Sequence, residues 1–196
     1  AGASLYGGNL GLSGGISFKG KVPAMDFRAD LANLDLQALG KDLPKLRDLE
    51  ARGLLSGTFS LQGSPENMKG SGSCAMPEIA LFGLKGENVT LPLSLQKGTL
   101  KIAGGKAVLY GGTLGVDFSA QFPQGAWSTN VKGELISMGP LLRDLTRSDK
   151  GLHCNGVLHF KGAGNFLSGA VRGEGSFATS KGHLTGVPWA DLIAKL

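Results

Sequence analysis

Aromatic residues are scarce in this 196-residue chain: 2 Trp, 2 Tyr and 9 Phe, or 7%. A carbohydrate-binding β-sandwich would want exposed aromatic platforms. Beyond Phe, only Trp127, Trp189, Tyr6 and Tyr110 could supply them. Charge is also sparse, 18% of residues where about 25% is usual. The net charge of +5 and the pI near 9.3 come from Lys and Arg placed singly along polar stretches. A nucleic-acid footprint would cluster them, so that partner class is set aside, while attraction to anionic membrane surfaces stays open. No run of about 20 apolar residues occurs, which excludes a transmembrane helix within these residues, and there is no signal-peptide pattern. His-Glu-x-x-His, Cys-x-x-Cys and Gly-x-Gly-x-x-Gly are all missing.

The few chemistry-bearing residues read blandly. Gly11-Leu12-Ser13-Gly14-Gly15 fits Gly-x-Ser-x-Gly, but a nucleophile elbow needs a strand-to-helix turn, and Ser13 falls inside an alternating strand. His153 and His159 sit six residues apart on the polar phase of one expected strand, about 20 Å at strand rise, too far to share a metal. His183 stands alone. No enzyme, cofactor or metal site is expected. Cys74 and Cys154 each take the place of an apolar residue, Phe177 and Leu55, in the other half of the chain. They read either as small apolar fillers or as a disulfide closing a loop of about 80 residues.

What the chain has in abundance is glycine, 33 residues, and repetition. Leu5-Tyr6-Gly7-Gly8 returns as Leu109-Tyr110-Gly111-Gly112. Lys69-Gly70-Ser71-Gly72-Ser73 returns as Arg172-Gly173-Glu174-Gly175-Ser176, and Leu81 and Gly83 are answered by Leu184 and Gly186. A repeat of this kind points to function by stacking of units. The expected organisation is one continuous β domain over 1–196, built of two repeats at about 1–104 and 105–196, in a piece of a longer protein.

Between the glycines, side chains alternate. Leu10, Leu12, Gly14, Ile16 and Phe18 oppose Asn9, Gly11, Ser13, Ser17 and Lys19; Leu114, Val116, Phe118, Ala120 and Phe122 oppose Thr113, Asp117, Ser119 and Gln121. Similar runs cover 25–31, 55–62, 89–95 and 152–161. Period two marks a strand with one apolar and one wet face. The short Gly- and Pro-containing breaks between runs predict antiparallel hairpins and roughly a dozen strands. Helical spacing is brief: Leu36, Leu39, Leu43 and Leu46 after Asp35, interrupted by Pro44; Met138, Leu141, Leu142 and Leu145 after Ser137; and a tail over 188–196 with Trp189, Leu192, Ile193 and Leu196 on one side. A sandwich, a closed barrel and an open curved sheet all hide an apolar face. Gly in the apolar phase, as at Gly14, Gly57, Gly63, Gly133, Gly156 and Gly162, serves either curvature or the close approach of a ligand or strand.

The Leu-Tyr-Gly-Gly strand start resembles the repeat of AsmA-like proteins, a superfamily that includes TamB-like proteins. So do Leu141-Leu142-Arg143-Asp144-Leu145, Leu167-Ser168-Gly169 and Gly182-His183-Leu184-Thr185-Gly186-Val187. The resemblance implies a mostly β fold: an elongated, strongly curved antiparallel sheet with two or three short helices and a hydrophobic groove. It also implies a periplasmic protein of Gram-negative bacteria, anchored in the inner membrane outside these residues, and acting in outer-membrane biogenesis and phospholipid transport. On that reading the groove-facing, lipid-binding candidates are Leu10, Leu12, Ile16, Phe18, Phe59, Leu61, Leu114, Val116, Phe118, Phe122, Leu158 and Phe160, with phospholipid or another acyl-chain ligand as partner. The alternative is a scaffold for outer-membrane protein clients, acting by strand addition at a sheet edge near Leu5 or at the C-terminal end.

Overall fold

The alternating runs fold into a meander. The computed structural model describes residues 2–18, 22–43, 47–65, 67–146, 152–180 and 183–184. The elements are β1 (Gly2–Leu5), β2 (Gly8–Ser17), β3 (Ala24–Asp35), α1 (Leu36–Leu39), β4 (Arg52–Gly63), β5 (Lys69–Leu81), β6 (Leu84–Gln96), β7 (Thr99–Leu109), β8 (Gly112–Gln121), β9 (Ala126–Ser137), α2 (Met138–Thr146), β10 (Leu152–His153), β11 (Asn155–Asn165), β12 (Val171–Thr179) and β13 (His183–Leu184). Eleven strands make one sheet in the order β1-β2-β3-β4-β5-β6-β7-β8-β9-β11-β12, every neighbouring pair antiparallel. The sheet does not close: β1 and β12 are its edges. β10 and β13 form a separate two-stranded ladder.

Turn chemistry sets the register. Tyr6-Gly7, Phe82-Gly83, Lys97-Gly98 and Tyr110-Gly111 are two-residue loops with φ of 48° and 75°, 53° and 80°, 48° and 72°, and 47° and 78°. Positive φ at both central positions is the type I′ hairpin, whose twist matches that of the strands it joins. The two Leu-Tyr-Gly-Gly copies match in detail. The Tyr6 carbonyl accepts from Asp35 N and the Tyr110 carbonyl from Ser137 N, both at 3.1 Å. Within the strands they face, Asn33 and Leu135 share a left-handed φ, 57° and 56°.

Register slips bend the sheet. They fall between Leu31 and Leu34 on β3, Gly53 and Ser56 on β4, Glu87 and Leu93 on β6, Ile102 and Gly105 on β7, and Gly156 and Leu158 on β11. Each extra residue kinks its strand and raises local twist, so the eleven-stranded sheet curves with no second layer packed on it among the described residues. A break of another kind overturns part of the sequence reading. The run over 152–161 is not one strand: it parts at Cys154, so Leu152 and His153 join β13 while Asn155 onward joins β9 and β12. His153 and His159 therefore do not share a strand.

The buried core of the described residues is small and, Ala120 apart, gathers at one rim. Asp35 caps α1, its Oδ1 accepting from Gln37 N at 2.8 Å and Ala38 N at 3.3 Å. This sets Leu36 against Ala51, Met76 and Val89, with Leu39, Leu55, Ile79 and Leu91 packed around them. α1 spans only four residues, so Leu43 lies beyond it, and Pro44 and Leu46 lie outside the described residues. α2 follows β9 as α1 follows β3, with Ile136 and Met138 buried at the junction. The tail over 188–196 also lies outside the described residues.

Candidate functional site

Cross-strand partners in an antiparallel pair point to the same face, so the register tells which side chains share a surface. One ladder crosses ten strands from β2 to β12: Leu12, Ala29, Phe59, Gly72, Leu93, Ile102, Phe118, Thr129, Gly162 and Gly173. Beside it runs a second: Gly14, Phe27, Leu61, Gly70, Leu95, Leu100, Ala120, Trp127, Gly164 and Val171. On the other flank Leu10, Leu31, Gly57, Cys74 and Leu91 align, then Val116, Val131, Phe160 and Gly175. At about 4.8 Å per strand these ladders extend for about 43 Å. The opposite face carries Arg28, Ser60, Ser71, Ser94, Lys101, Ser119 and Ser128 in a matching ladder.

Ten of the sequence-predicted residues, Leu10, Leu12, Ile16, Phe59, Leu61, Leu114, Val116, Phe118, Leu158 and Phe160, lie in strands on this one apolar phase. Phe18 and Phe122 fall just past the ends of β2 and β8. Sequence reasoning left out Leu93, Leu95, Leu100, Ile102 and Val131, which fill the middle of the face. Leu93 and Leu95 were visible in the alternation of residues 89–95. Leu100, Ile102 and Val131 lie in strands that those alternating runs did not cover.

No second layer covers this face among the described residues. Phe59, Leu61, Leu93, Leu95, Leu100, Ile102, Val116 and Phe118 are half-buried, shielded by one another and by curvature, while Ile16 and Phe160 are exposed. A sandwich would have sealed them. Two hollows lie elsewhere. One of about 410 Å³ is lined by Asn9, Asp30, Thr58 and Ser73, and one of about 260 Å³ by His159, Lys161, Glu174 and Ser176. Both belong to the polar side, where His159 Nε2 lies 3.0 Å from Asn130 Oδ1. An open trough has surface rather than enclosed volume, so the exposure and phase of its side chains define it better than cavities do.

Glycine in the apolar phase has a local purpose. The Phe59 ring lies across Gly70 and Gly72: a Cβ at Gly70 would stand 2.6 Å from Phe59 Cζ, and at Gly72 2.9 Å from Phe59 Cδ2. In the second repeat the Phe160 ring does the same over Gly173 and Gly175, at 2.9 Å and 3.5 Å. A ring laid on a neighbouring strand's backbone recovers apolar contact that a glycine strand otherwise lacks, the aromatic rescue used in sheets. Cys74 sits in the same face between Gly57 and Leu91. Burial pushes its thiol up from the ordinary value of 9.0, as expected of an apolar filler. Cys74 and Cys154 are both free thiols.

Ser13 lies in β2 opposite Arg28, with no helix following. Among the described residues no group of three or more His, Cys, Asp or Glu could hold a metal, and no helix is long and apolar enough to cross a membrane. Compared with family models, with curated proteins and with solved structures, the chain matches none.

Proposed function

We propose that this chain is a lipid-binding or lipid-conducting β-trough, a segment of a periplasmic, inner-membrane-anchored protein of AsmA-like type that moves phospholipid in outer-membrane biogenesis. The observation that carries the reading is the uncovered apolar face continuous from β2 to β12. Burying a CH₂ group gains about 0.8 kcal/mol, so an acyl chain laid along the ladders is held by solvation alone while its head group stays in water. The side chains act by accommodating the chain; no bond is made or broken. Chloroform–methanol extraction of the purified protein, followed by mass spectrometry, tests it. Acyl lipid should accompany the wild type and be lost from Phe118→Asp. Lipid-free wild type, or equal lipid in several such variants, would remove the reading.

A second reading rests on one observation. β12 is an edge strand, and every residue from Val171 to Thr179 is exposed. Such an edge is a template for an added strand, which fits a scaffold that binds outer-membrane protein clients. Cross-linking from β12 to protein with no lipid present in the trough favours it.

A further inference from the structure

Three successive turns at the rim away from the helices are tied into one ledge. Phe122 N donates to the Gly98 carbonyl at 2.8 Å, joining the β8–β9 turn to the β6–β7 turn. Phe166 N donates to the Gly125 carbonyl at 2.9 Å, and Asn165 Nδ2 to the Gln124 carbonyl at 2.9 Å, joining the β11–β12 turn to the β8–β9 turn. Asn165 Oδ1 in turn accepts from Leu167 N and Ser168 N, and the Phe166 ring stacks on Trp127 at 6.0 Å between centroids. This fixed platform nonetheless turns large apolar side chains outward: Phe122 is 53% exposed, Phe166 55% and Leu167 76%. Lys97, Lys101 and Arg172, all exposed, stand on the same turns and the strand ends beside them, and neither Asp nor Glu occurs in residues 96–101, 118–128 or 162–173. We infer that this ledge docks on an anionic lipid bilayer, the apolar tips entering the interfacial layer and the three cations meeting lipid phosphates. Charge complementarity selects that occupant: apolar tips on turns that carry cations and no carboxylate are the pattern of interfacial attachment, and Trp127 behind them is suited to the head-group level. The second apolar ladder passes through Trp127 and ends at Val171, so a docked bilayer would lie beside the trough.

Co-sedimentation of the whole chain with vesicles tests this. Vesicles of phosphatidylcholine and phosphatidylglycerol at about three to one should pellet the wild type, and pure phosphatidylcholine should pellet far less. Phe166→Ser with Leu167→Ser should weaken binding at least about ten-fold. Lys97→Glu with Arg172→Glu, which touches no packed group, should erase the preference for anionic vesicles. Phe82→Ser, an exposed aromatic at the opposite rim, should bind as wild type. Lys97 and Arg172 lie on no apolar ladder of the trough, so acyl-lipid content should be unchanged in their variant, which separates this inference from the trough reading. It is overturned if the wild type ignores both vesicle types or does not distinguish them, if the ledge variants bind undiminished, or if the ledge instead mediates self-association in sedimentation velocity without vesicle binding.

Discussion

The Tyr110 hydroxyl donates to Asp144 Oδ2 at 2.8 Å, just as the Tyr6 hydroxyl donates to Asp42 Oδ2 at 2.8 Å. In each repeat a tyrosine at a type I′ turn therefore reaches the chain that follows the long strand and pins it beside the sheet. Tyr110 also accepts from Lys85 N at 3.2 Å, which adds the start of β6 to the knot. The repeat thus carries a tether as well as a strand pattern.

Removing that tether should be felt unequally. Tyr110 is half-buried, and Tyr110→Phe strands the Asp144 carboxylate and the Lys85 amide together. We expect a loss of about 1 kcal/mol, read as a lower urea midpoint. Tyr6→Phe, on the copy whose hydrogen bond is exposed, should move the midpoint less. Equal midpoints for wild type and Tyr110→Phe would show that the tether contributes nothing.

Alkaline pH should weaken the fold in two steps. Burial raises the Cys74 thiol above its ordinary 9.0. Burial, with the Asp144 hydrogen bond and charge, raises the Tyr110 phenol above 10.0 against the opposing Lys85 amide bond. When the folded value is raised, the unfolded chain gives up its proton first as pH climbs. Stability is then complete below the unfolded value and falls as pH passes toward the folded one. Urea midpoints should hold steady from pH 7 to about 9 and decline beyond. Cys74→Ala should remove the first part of that decline and Tyr110→Phe the second.

Glycine and phenylalanine should prove to be coupled. Gly173→Ala puts a methyl group 2.9 Å from Phe160 Cζ, so in the wild type it should cost about 1–3 kcal/mol by overpacking. In Phe160→Ala, where the ring is gone, the same change should be close to neutral. A double-mutant cycle with no coupling between the two sites would mean that the ring does not depend on the glycine.

Adjacent residues should give opposite results. Leu93 lies in the middle of the apolar ladder and Ser94 on the wet face beside Lys101. Leu93→Asp should abolish lipid co-purification and binding of a hydrophobic dye, and Ser94→Asp should leave both unchanged. Identical behaviour of the two variants would dissociate the apolar phase from any ligand.

Much of this was legible in the chain. The alternation of Leu114, Val116 and Phe118 with polar neighbours fixed which side chains share a face, because pleated backbone admits no other period. The glycine pairs Gly7-Gly8 and Gly111-Gly112 marked two of the turns, though not their type. Other features were not legible, since they depend on what lies across a strand pair. The split at Cys154 follows from where the partners lie, β13 for Leu152 and His153 but β9 and β12 from Asn155 onward, and nothing in residues 152–161 announces it. The pairing of Phe59 with Gly70 and Gly72 joins residues on neighbouring strands, and the local pattern had left open whether such glycines awaited a ligand.

The sequence by itself determined the strands, their apolar phase and the twofold repetition, all of which arise from local sterics and from the spacing of side chains along one strand. Tertiary structure alone decided that the sheet stays open, that its apolar face meets no second layer among the described residues, and that three distant turns join into one ledge. Those outcomes depend on bulges and on hydrogen bonds between turns such as Phe122 to Gly98, contacts whose partners are far apart in the chain and meet only when the meander has curved.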